Sequence, residues 1–414
     1  MYYVIGYLNS KICNRILKFI NPTLSTNVGD ITTQPLIYDV LQRNNVIKLV
    51  HECIILSTED WNSFETSWNF TTHPLIVFKG KYKEAEPLLN ADEPCAGSKA
   101  VEYSKTSVPI AQAYDAWERF TDAQFGKLKS NEEELNRIFI HIYSLQNELT
   151  PEVEDKDVTV RKADLQRDIR SLISYAVGCI FGRYSLDVPG LAYAGGKWDA
   201  SRYSSFIPDK DNILPITDEE YFEDDIVGLF CAWLKKVYGT DTLEENLNFI
   251  AKALGNKGNT SREIIRNYFL NDFFKDHCAT YSVTGSGKRP IYWLFDSGKQ
   301  NGFKALIYMH RYDENTIGNL RIDYLHRMER IYESEIVRMQ DMIDNSANAR
   351  EVTAATKRRE KLRKQVKECK EYDEKIAHLA LARISIDLDD GVKVNYEKVQ
   401  TGTDGKKYAI LAKI

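Results

Sequence analysis

The chain lacks the residue spacings that announce the commoner chemistries. Its 414 residues include seven cysteines, at 13, 53, 95, 179, 231, 278 and 369, with no Cys-x-x-Cys pair. An odd, dispersed set fits no closed disulfide framework, and a zinc site would need ligands gathered from distant segments. Reduced thiols in the cytoplasm are the natural expectation. No apolar run reaches the roughly 18–20 residues that a membrane-spanning helix needs. The start, MYYVIGYLNSKICNRILKFI, has no basic leader and carries Lys11, Arg15 and Lys18 inside its apolar stretch. Apolar residues follow Met1 at once, as in the middle of a protein, so a fragment or a split-gene product is expected. There is no basic excess either: 55 Lys and Arg against 60 Asp and Glu leave a net charge of -5. Any nucleic-acid surface must therefore be local, offset by acid elsewhere. His-Glu-x-x-His pairs, internal repeats and low-complexity tracts are also missing.

What the chain does contain is an ordinary globular composition, 43% hydrophobic and 28% charged, with 24 Tyr and 6 Trp for cores and flat surfaces. Its length predicts two or three domains. Residues 2–8 read as a buried strand or the first turns of a helix. Asn9-Ser10 can cap a helix over 11–20, which Asn21-Pro22 stops. Helix is expected at 39–56, 110–149 and 162–181, with a loop-rich connection over 71–108. Residues 217–275 read as three or four helices broken near Gly239 and Gly255. IYWLF (291–295) and FKALIYMH (303–310), joined through Ser297-Gly298, carry a hairpin signature. Leu325, Met328, Tyr332, Ile336, Met339 and Ile343 recur in steps of three and four, and a second long helix over 350–383 carries Leu362, Val366, Cys369, Ile376 and Leu379. Two such helices should pair as an antiparallel hairpin. The tail, 385–414, reads as short strands around Asp390-Gly391 and Asp404-Gly405 turns.

Candidate chemistry is sparse. TGSGKRP (284–290) has Ser282 where a phosphate-binding loop needs its first Gly, and Arg289 follows the Lys, so a flexible loop is the plainer reading. Its Lys288 and Arg289 remain able to meet DNA phosphates. Asn21-Pro22-Thr23-Leu24 starts like the Asn/Asp/Ser-Pro-Pro-aromatic tetrapeptide of amino-methyltransferases, which grips a flipped base. The second Pro and the aromatic are absent, and a helix stop is favoured. No Gly-rich strand-turn-helix for S-adenosylmethionine is found; Val177-Gly-Cys-Ile-Phe-Gly182 reads as packing in a helix. The run Lys357–Lys364 reads as a solvated helix face, with DNA contact as the sharper alternative. Asp387, Asp389 and Asp390 could bind Mg²⁺, but Asp-Asp-Gly more often makes a turn. His277-Cys278 reads as a packing pair at a helix end. The loop Arg183–Arg202, with Arg183, Tyr184, Tyr193, Lys197, Trp198 and Arg202 among glycines, suits a stacked base and an ordered surface loop equally.

Six ordered stretches resemble one family: 6–36, DWNSFETSWNF (60–70), 132–160, SYAVGCIFGRYSLDVPGL (174–191), SGKRPIYWLFDSGKQNGFKALIYMHRY (286–312) and LDDGVKVNY (388–396). They are similar to the large adenine-specific DNA methyltransferases of BREX phage-defence systems, often called PglX, and to fused restriction–modification enzymes. The last three are fairly specific. In such proteins an N-terminal Rossmann-like domain binds S-adenosylmethionine and methylates adenine, and the region after it recognises the target. The resemblance implies that this chain is the later, recognition region, with double-stranded DNA as partner, a separate methyltransferase domain or other BREX proteins as further partners, and no cofactor of its own.

The expected fold is therefore α+β and mainly helical, in three parts: 1–109, 110–275 and 276–414. Expected DNA contacts are Arg183, Lys197, Trp198, Arg202, Lys288, Arg289, Lys299 and Arg311. A scaffold whose helical hairpin docks other defence proteins is the alternative. An independent enzyme is disfavoured, since no catalytic motif is complete.

Overall fold

The computed structural model describes residues 1–23, 25–80, 107–255, 257–285 and 287–414. Much of the expected 71–108 connection, with Cys95, and the positions Leu24 and Ser286 of two motifs lie outside the described residues. The described residues fall into two compact units, one within Met1–Ser98 and Gln112–Leu165, the other within Lys99–Ala111 and Gln166–Ile414. The fold is predominantly helical with a small antiparallel sheet.

In the first unit, Tyr2–Leu8 is helix α1 and Lys11–Ile20 is α2, followed by α3 (Val28–Thr32), α4 (Arg43–Asn62), α5 (Pro74–Val77) and the long α6 (Ile110–Ile142). The 2–8 segment is helical because Tyr3 and Tyr7, one turn apart, both reach the core, with Gly6 packed against Val46 and Val50 of α4. Ser10 caps α2 as its position predicts, its hydroxyl accepting from the Cys13 N–H. Helix α4 runs past the expected boundary at 56. Its buried stripe continues through Leu56 to Asp60, whose carboxylate is clamped by the Arg161 guanidinium at 3.0 Å. Helix α6 stops short of the expected 149, where Ser144 turns left-handed at φ 54°.

The second unit begins with α7 (Leu165–Phe181) and, after a long loop, continues through α8 (Ile226–Tyr238), α9 (Leu243–Leu254), α10 (Ser261–Asn271) and α11 (Phe273–Thr280). Asp225 caps α8 and forms a buried pair with Arg266 at 2.7 Å. Strands β1 (Leu214–Pro215), β4 (Tyr292–Asp296) and β5 (Lys304–Tyr308) form one antiparallel sheet in the order β1-β5-β4. Strands β2 (Ser282–Val283) and β3 (Gly287–Lys288) make a separate small hairpin. After α12 (Thr316–Asn319) come the two long helices α13 (His326–Asn345) and α14 (Ala349–Ala382), packed against each other as the periodicity predicts.

These helices share one core with the sheet. Met328, Tyr332 and Met339 from α13 and Leu362, Cys369, Tyr372, Ile376 and Leu379 from α14 meet Trp293, Phe295, Phe303 and Ile307. Each large side chain buried there contributes roughly 1.5–3 kcal/mol. Glu368 of α14 fixes the β4–β5 turn by accepting from Ser297 Oγ at 2.7 Å, Gln300 N at 2.8 Å and Gly302 N at 3.0 Å.

The tail corrects one expectation. Gly391–Lys398 is a helix, α15, not a strand. Val392, Tyr396 and Val399 pack on the core at steps of four and three, so helical spacing wins over the short strands expected around the Asp390-Gly391 turn. Beyond it the chain is extended. Thr401 bridges Lys407 around the Asp404-Gly405 turn, and Leu411 bridges Phe295 at the β4 edge.

Candidate functional site: a cationic face beside α7

The aromatic-basic loop is built outward from the end of α7. Gly178, inside α7, lets the Tyr184 ring lie against the helix; a Cβ there would come within 2.5 Å of that ring. Tyr184 in turn stacks on Tyr175, with centroids 4.9 Å apart. Gly182 (φ +77°) ends the helix where only 2.5 Å separates a would-be Cβ from the Trp198 indole. Tyr203 donates to the Gly182 carbonyl at 2.6 Å and stacks on Trp198 at 4.8 Å. Arg311 covers Trp198 from 4.6 Å and donates to the carbonyls of Phe181 at 3.1 Å, Asp209 at 2.8 Å and Lys210 at 3.0 Å. Three carbonyls and an indole thus hold one guanidinium as the pin of the loop. The VGCIFG stretch is packing, as its helical context suggested.

Arg183 is also drawn inward. It is buried, donates to Tyr281 Oη at 2.6 Å and lies over the rings of Tyr184 and Tyr281. Tyr281 precedes the β2–β3 hairpin, and its carbonyl accepts from Arg289 N at 2.8 Å. Beside it, His277 of α11 is buried and accepts through Nε2 from Ile291 N at 3.1 Å and Tyr292 N at 3.0 Å. A nitrogen that accepts twice carries no proton, so the ring is neutral with its hydrogen on Nδ1. Burial, then the Arg183 charge, push its pKa well below the ordinary histidine value. The same causes lower that of His310 to about 4. His277 is thus a packing residue that also ties α11 to β4.

With Arg183 and Arg311 inside, the outward cations are Lys197 and Arg202 on the loop and Lys288 and Arg289 on the hairpin, all exposed. Arg202 is partly engaged, by the Ala192 carbonyl at 2.8 Å and Asp199 at 3.6 Å. Lys197, Trp198, Arg202, Tyr193 and Leu191 line an open depression of about 850 Å³. The tail joins them. A Cβ on Gly195 would meet Leu388 at 2.8 Å, and one on Gly287 would meet Lys393 Nζ at 3.1 Å. Loop, hairpin and the start of α15 therefore converge, and Lys393 adds an exposed cation that sequence reasoning missed. Its signal lay in LDDGVKVNY, one of the six resembling stretches, once that stretch is helix. Lys299 is not part of this group. It sits in the β4–β5 turn, whereas the loop meets the hairpin's other end, where Tyr308 Oη donates to the Tyr193 carbonyl at 2.9 Å. Four residues of strand, about 13 Å, separate the two ends.

Other candidates are used structurally. Within the basic run, Arg358 pairs with Asp218 at 2.7 Å, Lys361 with the same carboxylate at 2.6 Å, and Arg363 with Glu360 at 3.0 Å. Asp387 caps a 3₁₀ turn by accepting from Asp389 N at 3.0 Å, the turn reading of that acidic cluster. Asn21 caps the end of α2, and its side chain donates to Ser25 O at 2.8 Å and Asp30 Oδ2 at 2.7 Å, as a helix stop would. Among the described residues, Asp209, Asp211 and Asp224 are brought close enough together to share a cation. The Tyr324 hydroxyl bridges Asp211 and Asp224. Burial and the neighbouring Asp211 push the Asp209 carboxyl up to about 7. Asp224 lies thirteen residues from Asp211, so the group has no linear signature.

No family model matches the chain. It is 43% identical over 404 residues, 97% of its length, to an adenine-specific methyltransferase PglX of Lacticaseibacillus casei (strain Zhang). It is 35% identical over 426 residues, 96% of its length, to an adenine-specific methyltransferase BrxX of Escherichia coli O9:H4 (strain HS). The matches cover 31% and 32% of those proteins, so the chain spans about a third of the length of the curated relatives it matches. Over nearly its whole length, then, the chain resembles part of the adenine-specific methyltransferases of the PglX/BREX family.

Proposed function

We propose that the chain is the DNA-recognition, C-terminal part of an S-adenosylmethionine-dependent, adenine-specific DNA methyltransferase of a phage-defence system. The observation that carries this reading is 43% identity across 97% of the chain to a protein named for that activity. The resemblance makes cofactor binding and methyl transfer the work of the other two thirds of such a protein. Work left to this chain is contact with double-stranded DNA in the cytoplasm. Lys197, Arg202, Lys288, Arg289 and Lys393 supply it as phosphate contacts on one face of the second unit. Trp198 and Arg311 act on DNA only by holding Lys197 and Arg202 outward. Phosphate contacts set register and orientation without reading bases, so base readout falls to groups around the depression at Tyr193 and Leu191.

Fluorescence anisotropy with a labelled duplex tests the reading. Binding at low salt should weaken about tenfold or more in the Lys288→Ala, Arg289→Ala double variant, from loss of two charge contacts. No duplex binding by the wild-type chain at low salt would sink the proposal and favour the scaffold.

A further inference from the structure

We infer that an apolar band of the first unit is the seat of the rest of the methyltransferase. Phe19 (75% exposed), Val28 (79%), Val40 (72%) and Leu41 (90%) stand in solvent with Ile37 and Tyr38 between them. Isolated exposed apolar residues are ordinary; several of them along one segment, 19–41, that hydrogen bonds hold in place point to an interaction surface.

The band is built, not frayed. Asp30 gathers the α2–α3 connection, its carboxylate accepting from Asn21 Nδ2 at 2.7 Å and Asn27 N at 2.9 Å, and its carbonyl from Gln34 Nε2 at 3.2 Å. Three tyrosines anchored in the core then fix the strap that follows. Tyr7 donates to Gln34 at 3.2 Å, and Tyr143 donates to the Pro35 carbonyl while accepting from Ile37 N at 3.0 Å. Tyr3 donates to the Ile37 carbonyl and accepts from Asp39 N, both at 3.1 Å. Asp39 then accepts from Leu41 N at 2.7 Å. One hydrogen-bonded chain thus runs from Asn21 to Leu41. It pairs the N–H groups of Ile37, Asp39 and Leu41 and leaves the strap's apolar side chains in water, an arrangement that loses hydrophobic stabilisation unless another surface covers them.

The occupant follows from the relatives' length. The matched part of each is about a third of the protein and includes almost all of this chain, so the counterpart of this band lies in one polypeptide with about twice as much further sequence. That further sequence, the methyltransferase portion, is the covering surface. The inference rests on the reading of the chain as part of such an enzyme and not on DNA recognition.

The test co-expresses the tagged chain with the portion of the Lacticaseibacillus casei protein outside the match. The two should co-purify and co-elute in gel filtration. The Val40→Asp, Leu41→Asp double variant should lose at least about tenfold in apparent affinity, as removal of interface anchors does, while its circular dichroism and duplex affinity stay unchanged. Failure to co-elute, or co-elution indifferent to these substitutions, overturns the inference. So does self-association of the chain alone that the same variant abolishes, which would assign the band to a second copy. If duplex binding fails while co-elution holds, the recognition reading falls and the docking surface stands.

Discussion

His277 and Asp209 carry opposite pH signatures. For His277 the folded pKa is depressed, so below the unfolded value of 6.5 the unfolded chain takes up a proton that the fold refuses. Its contribution is complete above pH 6.5 and is lost as pH falls, by at most about 1.4 kcal/mol per pH unit. His277→Gln keeps an acceptor but cannot titrate. Urea unfolding should show lower stability at pH 7.5, because the ring's packing on Tyr292 is gone, yet a shallower decline between pH 6.5 and 5. A decline as steep as wild type would mean His277 is not titrating with unfolding. For Asp209 the folded pKa is raised from 3.8 to about 7, so its stabilising protonated form is present at low pH and lost as pH rises through that window. Asp209→Asn should therefore raise the melting temperature at pH 8 and leave it nearly unchanged at pH 4. A fall at pH 8 would show that the charged form is needed, for example to bind a cation with Asp211 and Asp224.

Helix α7 turns on how closely a ring approaches its backbone. An exposed helical Gly→Ala change usually stabilises by about 1 kcal/mol. At Gly178 the sign should reverse. The added Cβ meets the Tyr184 ring, which is stacked on Tyr175 and cannot swing away, and overpacking of this kind costs about 1–3 kcal/mol. Thermal unfolding of Gly178→Ala at or above the wild-type midpoint would show that the loop has slack. This element also marks what the sequence made legible. Periodicity located the α13–α14 pair because each helix buries one face, and unbroken apolar runs marked α7 and the β4–β5 hairpin, which are buried on both faces; both patterns are written locally. Helix α15 was missed because the eight residues GVKVNYEK are too few to fix a period until Tyr396 and Val399 find the core. The cations Lys197, Lys288 and Arg289 were legible as charges in Gly-rich segments. That Arg183 and Arg311 turn inward was not, because Arg183 is held by Tyr281 and Arg311 by the carbonyls of Phe181, Asp209 and Lys210, partners about a hundred or more positions away. Lys393 joined the face for the same non-local reason.

At the scale of the whole molecule, a net charge of -5 opposes a polyanion, so the proposed duplex binding requires local charge density. This separates a patch from general electrostatics. The logarithm of affinity against the logarithm of salt should fall with a slope of about -0.9 for each phosphate neutralised. Neutralising Lys197, Lys288, Arg289 and Lys393 together should flatten that slope by up to about 3.6 if each meets a phosphate. The control removes charge elsewhere: Lys364 and Lys367, exposed on α14, change to Gln, and the two sets are compared per charge removed. Replacing those two lowers the net charge by two units yet should leave slope and affinity near wild type, since charges more than about 10 Å from the duplex are screened at 0.1 M salt. Equal flattening per charge in both sets would mean that the duplex senses only total charge. The convergence of loop, hairpin and α15 would then be architecture for the fold and not a surface for DNA.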